Sequence, residues 1–163
     1  MKRCAKMMVG VWVLICAVLI VNGCSAAKGK SFSKAGLTIT LTDEFYEKQH
    51  DGYTAYYESP EAFVFILKEE FFLYERVGLS TEISLQEFAK LVIAGNNLEC
   101  TVQESDGLTY FVCEKTENGR ALTYFVAIFR GVDAYWSVWF SCETSDYSSL
   151  KADFINWAKS VTA

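Results

Sequence analysis

The chain has 163 residues, of which 52% are hydrophobic and 15% aromatic, with 15 basic and 20 acidic residues and a net charge of −5. Such a length suits a single domain with a sizeable core. The acidic balance argues against a nucleic-acid partner, which needs clustered Lys and Arg, and against adhesion to anionic lipid by charge alone.

The first segment has the three parts of a secretory signal. Lys2, Arg3 and Lys6 supply positive charge, Met7 to Val21 is almost uninterrupted apolar sequence, and Gly23 is a small residue at its end. Val21-Asn22-Gly23-Cys24 resembles the cleavage box of bacterial lipoproteins, with an aliphatic residue three before a cysteine and a small one directly before it. That resemblance implies a signal peptide over residues 1–23, removed on export, and diacylglycerol on Cys24. Two acyl chains hold a protein stably where one holds it marginally. An uncleaved membrane anchor, or an ordinary signal with an incidental cysteine, are the alternatives, since Met7 to Gly23 is near the lower length of a spanning helix. Residues 24–34, rich in small and polar side chains, read as a tether. Residues 35–163 read as one globular domain. Removing the three basic residues of the leader from 15 leaves 12 against 20 acidic, a net −8 for the mature chain.

Within the domain, Leu37 to Leu41 alternates apolar and polar residues, the pattern of a half-buried strand. Tyr53 to Glu58 and Ala62 to Lys68 flank Ser59-Pro60-Glu61 and predict a hairpin. Glu69 to Ile83 has weak patterning and reads as a loop or lid-like excursion. A helix is expected from Ser84, where Ser84 and Glu87 form a capping box and Leu85, Phe88, Ala89 and Val92 an apolar stripe, ending near Gly95-Asn96. Thr101 to Glu104 and Leu108 to Glu114 flank Ser105-Asp106-Gly107, a second hairpin with an Asp-Gly turn signal. Asn118-Gly119 turns the chain into Ala121 to Phe129, which is apolar on both of its faces and so predicts cover on both sides. Tyr135 to Cys142 is the next strand. A last helix, begun near Ser145 or Asp146, carries Tyr147, Leu150, Phe154, Trp157, Ala158 and Val161 at three- and four-residue steps.

These elements predict an α+β fold, an antiparallel sheet with packed helices. Their order over Gly36 to Leu41, Tyr53 to Lys68, the helix from Ser84, and Phe125 to Phe140 into the final helix resembles the PsbP-like α/β/α sandwich. The resemblance implies an accessory, binding or stabilising role and carries over no functional residue.

The chain has no Gly-rich phosphate loop, no His-Glu-x-x-His and no Cys-x-x-Cys, so no catalytic residue, metal ligand or cofactor is expected. His50, the single histidine, sits among turn formers in Gln49-His50-Asp51-Gly52 and reads as a solvated loop residue. Glu69, Glu70, Glu75 and Glu82 read as a solvated acidic edge rather than a calcium loop. Aromatic rings in strands are mostly packing, but Tyr53, Tyr56, Tyr57, Tyr135, Trp136 and Trp139 are the ones that alternation could send outward as binding aromatics. In a two-residue Asp106-Gly107 turn Cys100 falls opposite Cys113, close enough for a disulfide; a bulge at Gly107 would set Cys100 against Val112 instead. A disulfide and a pair of buried thiols both stay open, with Cys142 left free. Two functional readings follow. The first is a non-catalytic accessory or binding module, lipid-anchored on the extracytoplasmic side of the cell membrane, with an envelope protein, peptide or glycan as partner. The second is an extracytoplasmic hydrolase built on carboxylates.

Overall fold

A computed structural model describes residues 29–163. The leader, Cys24 and the start of the tether lie outside the described residues. Gly29–Lys34 (β1) and Leu37–Thr42 (β2) form a two-stranded antiparallel hairpin. Residues 29–34 of the stretch expected as tether are therefore strand. Strand β1 escapes a pattern search because only Phe32 of its six side chains is buried.

The main sheet is seven-stranded and antiparallel throughout. It comprises Tyr46–Glu47 (β3), Ala55–Glu58 (β4), Phe63–Glu70 (β5), Gln103–Ser105 (β6), Leu108–Glu117 (β7), Arg120–Arg130 (β8) and Ala134–Glu143 (β9), in the order β3-β4-β5-β9-β8-β7-β6. Both expected hairpin turns form. Asp106 and Gly107, then Asn118 and Gly119, lie at φ between 50° and 80°, the paired left-handed conformation of a two-residue turn. Among the described residues three helices complete the fold: Phe71–Arg76 (α1), Leu85–Gly95 (α2) and Tyr147–Lys159 (α3). Helix α1 falls where a loop was expected, because a helix of six residues is too short to show a period. At α2 the capping box is complete: Glu87 N–H donates to Ser84 Oγ (3.2 Å) and Ser84 N–H to Glu87 Oε2 (2.8 Å). The bond from the Ser84 backbone, then that from its hydroxyl, hold the Glu87 carboxyl below its usual range.

Alternation along the central strands gives the sheet two apolar faces. The first carries Val64, Ile66, Phe125, Ala127, Trp136, Val138 and Phe140, and is covered by α3 and the β1–β2 hairpin. Phe154 of α3 is fully buried there, 5.7 Å from Phe140 and 6.4 Å from Phe125 between ring centres. The second face carries Phe65, Phe111, Tyr124, Val126, Ile128, Tyr135 and Trp139, with α1 against β5 and α2 against β7 and β8. Phe88 of α2 stacks on Tyr135 at 4.5 Å and 16°. The Tyr135 hydroxyl donates to the Ile83 carbonyl (2.6 Å), which ties the irregular link before α2 to the sheet. The result is an α/β/α sandwich of α+β class.

Candidate functional site

Helices α1 and α2 leave part of the second face uncovered. A cavity of about 300 Å³ opens there. Its floor is built from side chains that share one strand phase on neighbouring strands: Phe63 and Phe65 of β5, Trp139 of β9 and Tyr124 of β8. One wall comes from the β3–β4 link and β4, with His50, Tyr53 and Tyr56; the other from Asn96 and Leu98 just beyond α2. Lys115 and Glu117 of β7 stand at the rim as an exposed ion pair of 3.1 Å.

The rings are ordered against one another. Trp139 stacks on Phe65 (5.2 Å, 18°), Phe65 on Tyr53 (4.6 Å, 27°), and Tyr53 runs near-parallel to Tyr56 (6.0 Å, 14°). His50 lies 4.6 Å from Tyr53 and 5.4 Å from Tyr56. Stacked and edge-on aromatic pairs each add ~0.5–1.5 kcal/mol beyond the area they bury, so the rings favour this arrangement over independent placement. Trp139 Nε1 donates to the buried Ser137 Oγ (2.9 Å), which satisfies its one polar group within the sheet and fixes the indole. Tyr53, Tyr56 and Phe63 keep part of their surface in solvent, while Phe65, Tyr124 and Trp139 lie deep. Burial, then the Glu117 carboxylate beside it, raises the Tyr124 hydroxyl above the usual phenol range, so it stays a neutral donor at all ordinary pH. Burial likewise leads the rise at Tyr56, with Glu58 next. Ser141, fully buried between Phe63 and Tyr124 in the sheet register, has an Oγ with no well-formed hydrogen bond among the described residues.

Of the six aromatics that sequence singled out, Tyr53, Tyr56 and Trp139 meet in this cleft. Tyr57, Tyr135 and Trp136 do not; they are core residues, 1%, 0% and 2% exposed. Tyr57 packs on Phe32 of β1 (4.5 Å), Tyr135 lies under α2, and Trp136 faces α3 and the hairpin with Lys68 Nζ 5.4 Å over its ring. Alternation did send neighbours to opposite faces, but both faces are roofed at those points. His50 is exposed, as expected of a loop residue, with Nδ1 2.9 Å from the Asp51 carbonyl; its place at the cleft mouth had no local signal. Phe63, Phe65 and Tyr124 were missed as well. Their signal is phase: in β5 and β8 they share the face that Trp139 occupies in β9.

Three of the four acidic-edge residues have protein partners: Glu69 accepts from Tyr74 (2.8 Å), Glu70 faces Lys68 (3.6 Å) and Glu82 pairs with Arg130 (2.8 Å). Among the described residues no group of three or more His, Cys, Asp or Glu is placed to hold a metal ion, and no helix is long and apolar enough to cross a membrane. In this structure no disulfide joins Cys100, Cys113 or Cys142. Cys100 and Cys113 belong to the second face and Cys142 to the first. Burial, then the adjacent Cys100, raises the Cys113 thiol; burial, then Asp146, raises that of Cys142 to about 11.

No protein family and no curated protein matches the chain by sequence. Solved structures do. The solution structure of cyanobacterial PsbP from Synechocystis is similar at a TM-score of 0.55 and 11% identity, over 86% of this chain and 95% of that one. The Ran-binding protein Mog1p of Saccharomyces cerevisiae is similar at 0.55 and 8% identity, over 84% and 96%. A protein from Bacteroides thetaiotaomicron gives 0.57 and 14% identity over 83% of this chain, which spans only 48% of that one. At such identities the likeness concerns architecture alone, and it spans nearly the whole of the first two neighbours: this chain has the PsbP-like α/β/α sandwich fold.

Proposed function

We propose that this protein is a non-catalytic accessory or binding module of the bacterial envelope, lipid-anchored through Cys24 and facing the extracytoplasmic side. Its working surface is the aromatic cleft of the second sheet face. The observation that carries the reading is the cleft itself: an ordered array of rings, deep at Phe65, Tyr124 and Trp139 and partly exposed at Tyr53, Tyr56 and Phe63, lines a cavity of about 300 Å³. Parallel rings with a polar rim suit the flat faces of sugar rings and the side chains of peptides. Glu117 is the one carboxylate among the residues lining the cleft. A hydrolase using paired acids needs two facing a common substrate, so the arrangement supports binding over hydrolysis. Membership of the same fold as accessory proteins of the PsbP type supports the reading in kind.

The ligand test is a titration of the purified full chain, in detergent, with N-acetylglucosamine oligomers and with short aromatic peptides, followed through intrinsic tryptophan fluorescence with Trp139→Phe as the control that assigns the signal to the cleft. Saturable binding that weakens at least tenfold in Tyr53→Ala and Tyr56→Ala supports the cleft. Binding unchanged in both variants would place the ligand elsewhere. The anchor has its own test, mass spectrometry of the membrane fraction. Diacylglycerol on an N-terminal Cys24 is the expected result; an intact leader would overturn it.

A further inference from the structure

We propose that Cys100 and Cys113 form an intramolecular disulfide that pins residues 96–102, and with them one wall of the cleft, against strand β7. The turn at Asp106-Gly107 is of the two-residue kind, so Ser105 pairs with Leu108, Glu104 with Thr109 and Gln103 with Tyr110. The ladder ends at Gln103; counted three further steps along the chain, Cys100 falls level with Cys113. A disulfide accepts α-carbons ~4.4–6.8 Å apart. Both side chains pack into the second-face cluster, and the two thiols interact directly. Cys142 is no competitor, because it packs on the other face with the sheet between.

The bond has a structural task to do. Strand β6 stops at Gln103, and the run from Leu98 to Val102 forms no ladder with β7. That run is doubly placed: Asn96 and Leu98 wall the aromatic cleft, while Leu98, Cys100 and Val102 border a groove against Ile93 and Lys90 of α2. The Asn96 and Leu98 N–H groups donate back to the Val92 and Ile93 carbonyls, which ties the wall to α2, while Glu99 to Val102 is held against β7 by side-chain packing alone. A covalent link at Cys100 supplies the missing restraint.

The chemistry is thiol–disulfide exchange with an external disulfide, such as a small-molecule disulfide in the envelope. Half-buried Cys100 is the accessible sulfur, whereas Cys113 is buried and its thiol is held protonated. The Cys100 thiolate therefore attacks the oxidant first and expels one thiolate. The Cys113 sulfur, losing its proton, then displaces the second. Two protein thiols give up two protons and two electrons, and the external disulfide becomes two thiols.

The test uses full-length protein made in exporting cells, purified without reductant and alkylated before digestion. No Lys or Arg lies between Lys90 and Lys115, so one tryptic peptide holds both cysteines. The expected peptide is unlabelled and lighter by two hydrogens, and after cleavage at Glu104 its halves stay joined until reduced. Label on both cysteines in protein that has lost its leader overturns the proposal. Where the leader is retained, the envelope address has failed rather than the bond. Reduced protein mixed with oxidised glutathione then decides, since a linked Cys100–Cys113 is expected and stable glutathione adducts on unlinked thiols overturn it. The closed loop holds about 14 residues, so reduction lowers the Tm by about 10 °C. Cys100→Ser should start at that lower value and show no further fall on reduction; a fall like that of the unaltered chain overturns the assignment.

Discussion

The two faces of the sheet are made of the same kinds of residue and end in different states. On the first, α3 and the β1–β2 hairpin lie over β5, β9 and β8, and Phe125, Phe140 and Phe154 close to solvent entirely. On the second, α2 is held by a capping box and by Phe88 on Tyr135, and it stops short of the rings at the β4–β5 side. Both faces leave some rings partly wet, Trp157 and Tyr147 on the first and Tyr53, Tyr56 and Phe63 on the second, but on the second face they line a cavity of about 300 Å³. The proposed binding surface lies where the roof is incomplete, and the first face buries Phe125, Phe140 and Phe154 fully.

The sharpest way to break that comparison is Phe154→Ala. Truncating a fully buried Phe costs about 3–5 kcal/mol, a large part of the ~5–15 kcal/mol that holds a domain together. The variant should show a steep fall in Tm, whereas Lys151→Ala on the exposed side of α3 should leave it nearly unchanged. Equal, small effects would mean that α3 does not carry the first face.

Alkaline titration sharpens the same point. Cys142 sits in the first-face core with its thiol raised from 9.0 to about 11, chiefly by burial. Folding thus favours its protonated form. The contribution is whole below pH 9 and is lost as pH rises toward 11, where the unfolded chain ionises and the folded one resists. Two units correspond to about 2–3 kcal/mol as an upper figure. Urea unfolding at pH 8 and pH 11 should show a smaller loss in Cys142→Ala than in the unaltered chain; an identical loss would show that burial of this thiol is not coupled to folding.

How much of this was legible follows the same division. The strands, both Gly-containing turns, the capping box and the α3 stripe were readable, because each is a local pattern with a local cause. Tyr57, Tyr135 and Trp136 were misplaced, since a strand's period says which residues share a face and not whether that face is roofed. Roofing at Tyr57 depends on Phe32, a residue 25 positions away in a strand with one buried side chain. The cleft was legible only in part for the same reason: its floor joins β5, β8 and β9, whose adjacency is a fact of topology.

A smaller effect is expected at Ser84. Ser84→Ala removes the cap from α2, worth about 1 kcal/mol, and should raise hydrogen exchange across the first turns of α2 while leaving α3 protected. That outcome would confirm that the second face's cover is held locally. Uniformly faster exchange in both helices would show that the two faces unfold as one unit.

The smallest effect on stability, and the most telling for function, is expected at Lys115. Its bond to Glu117 joins side chains that are 54% and 41% exposed, and such pairs contribute ~0–1 kcal/mol because water and salt screen them. Lys115→Ala should therefore shift the Tm by no more than a degree or two. It also removes the one cation from the cleft's rim and leaves Glu117 alone beside the rings. If the cleft binds ligands as proposed, affinity should change severalfold for ligands bearing a carboxylate and hardly at all for neutral sugars. A variant that loses stability but keeps its affinities would reverse the assignment, making this rim part of the scaffold and returning the second face to the role of the first.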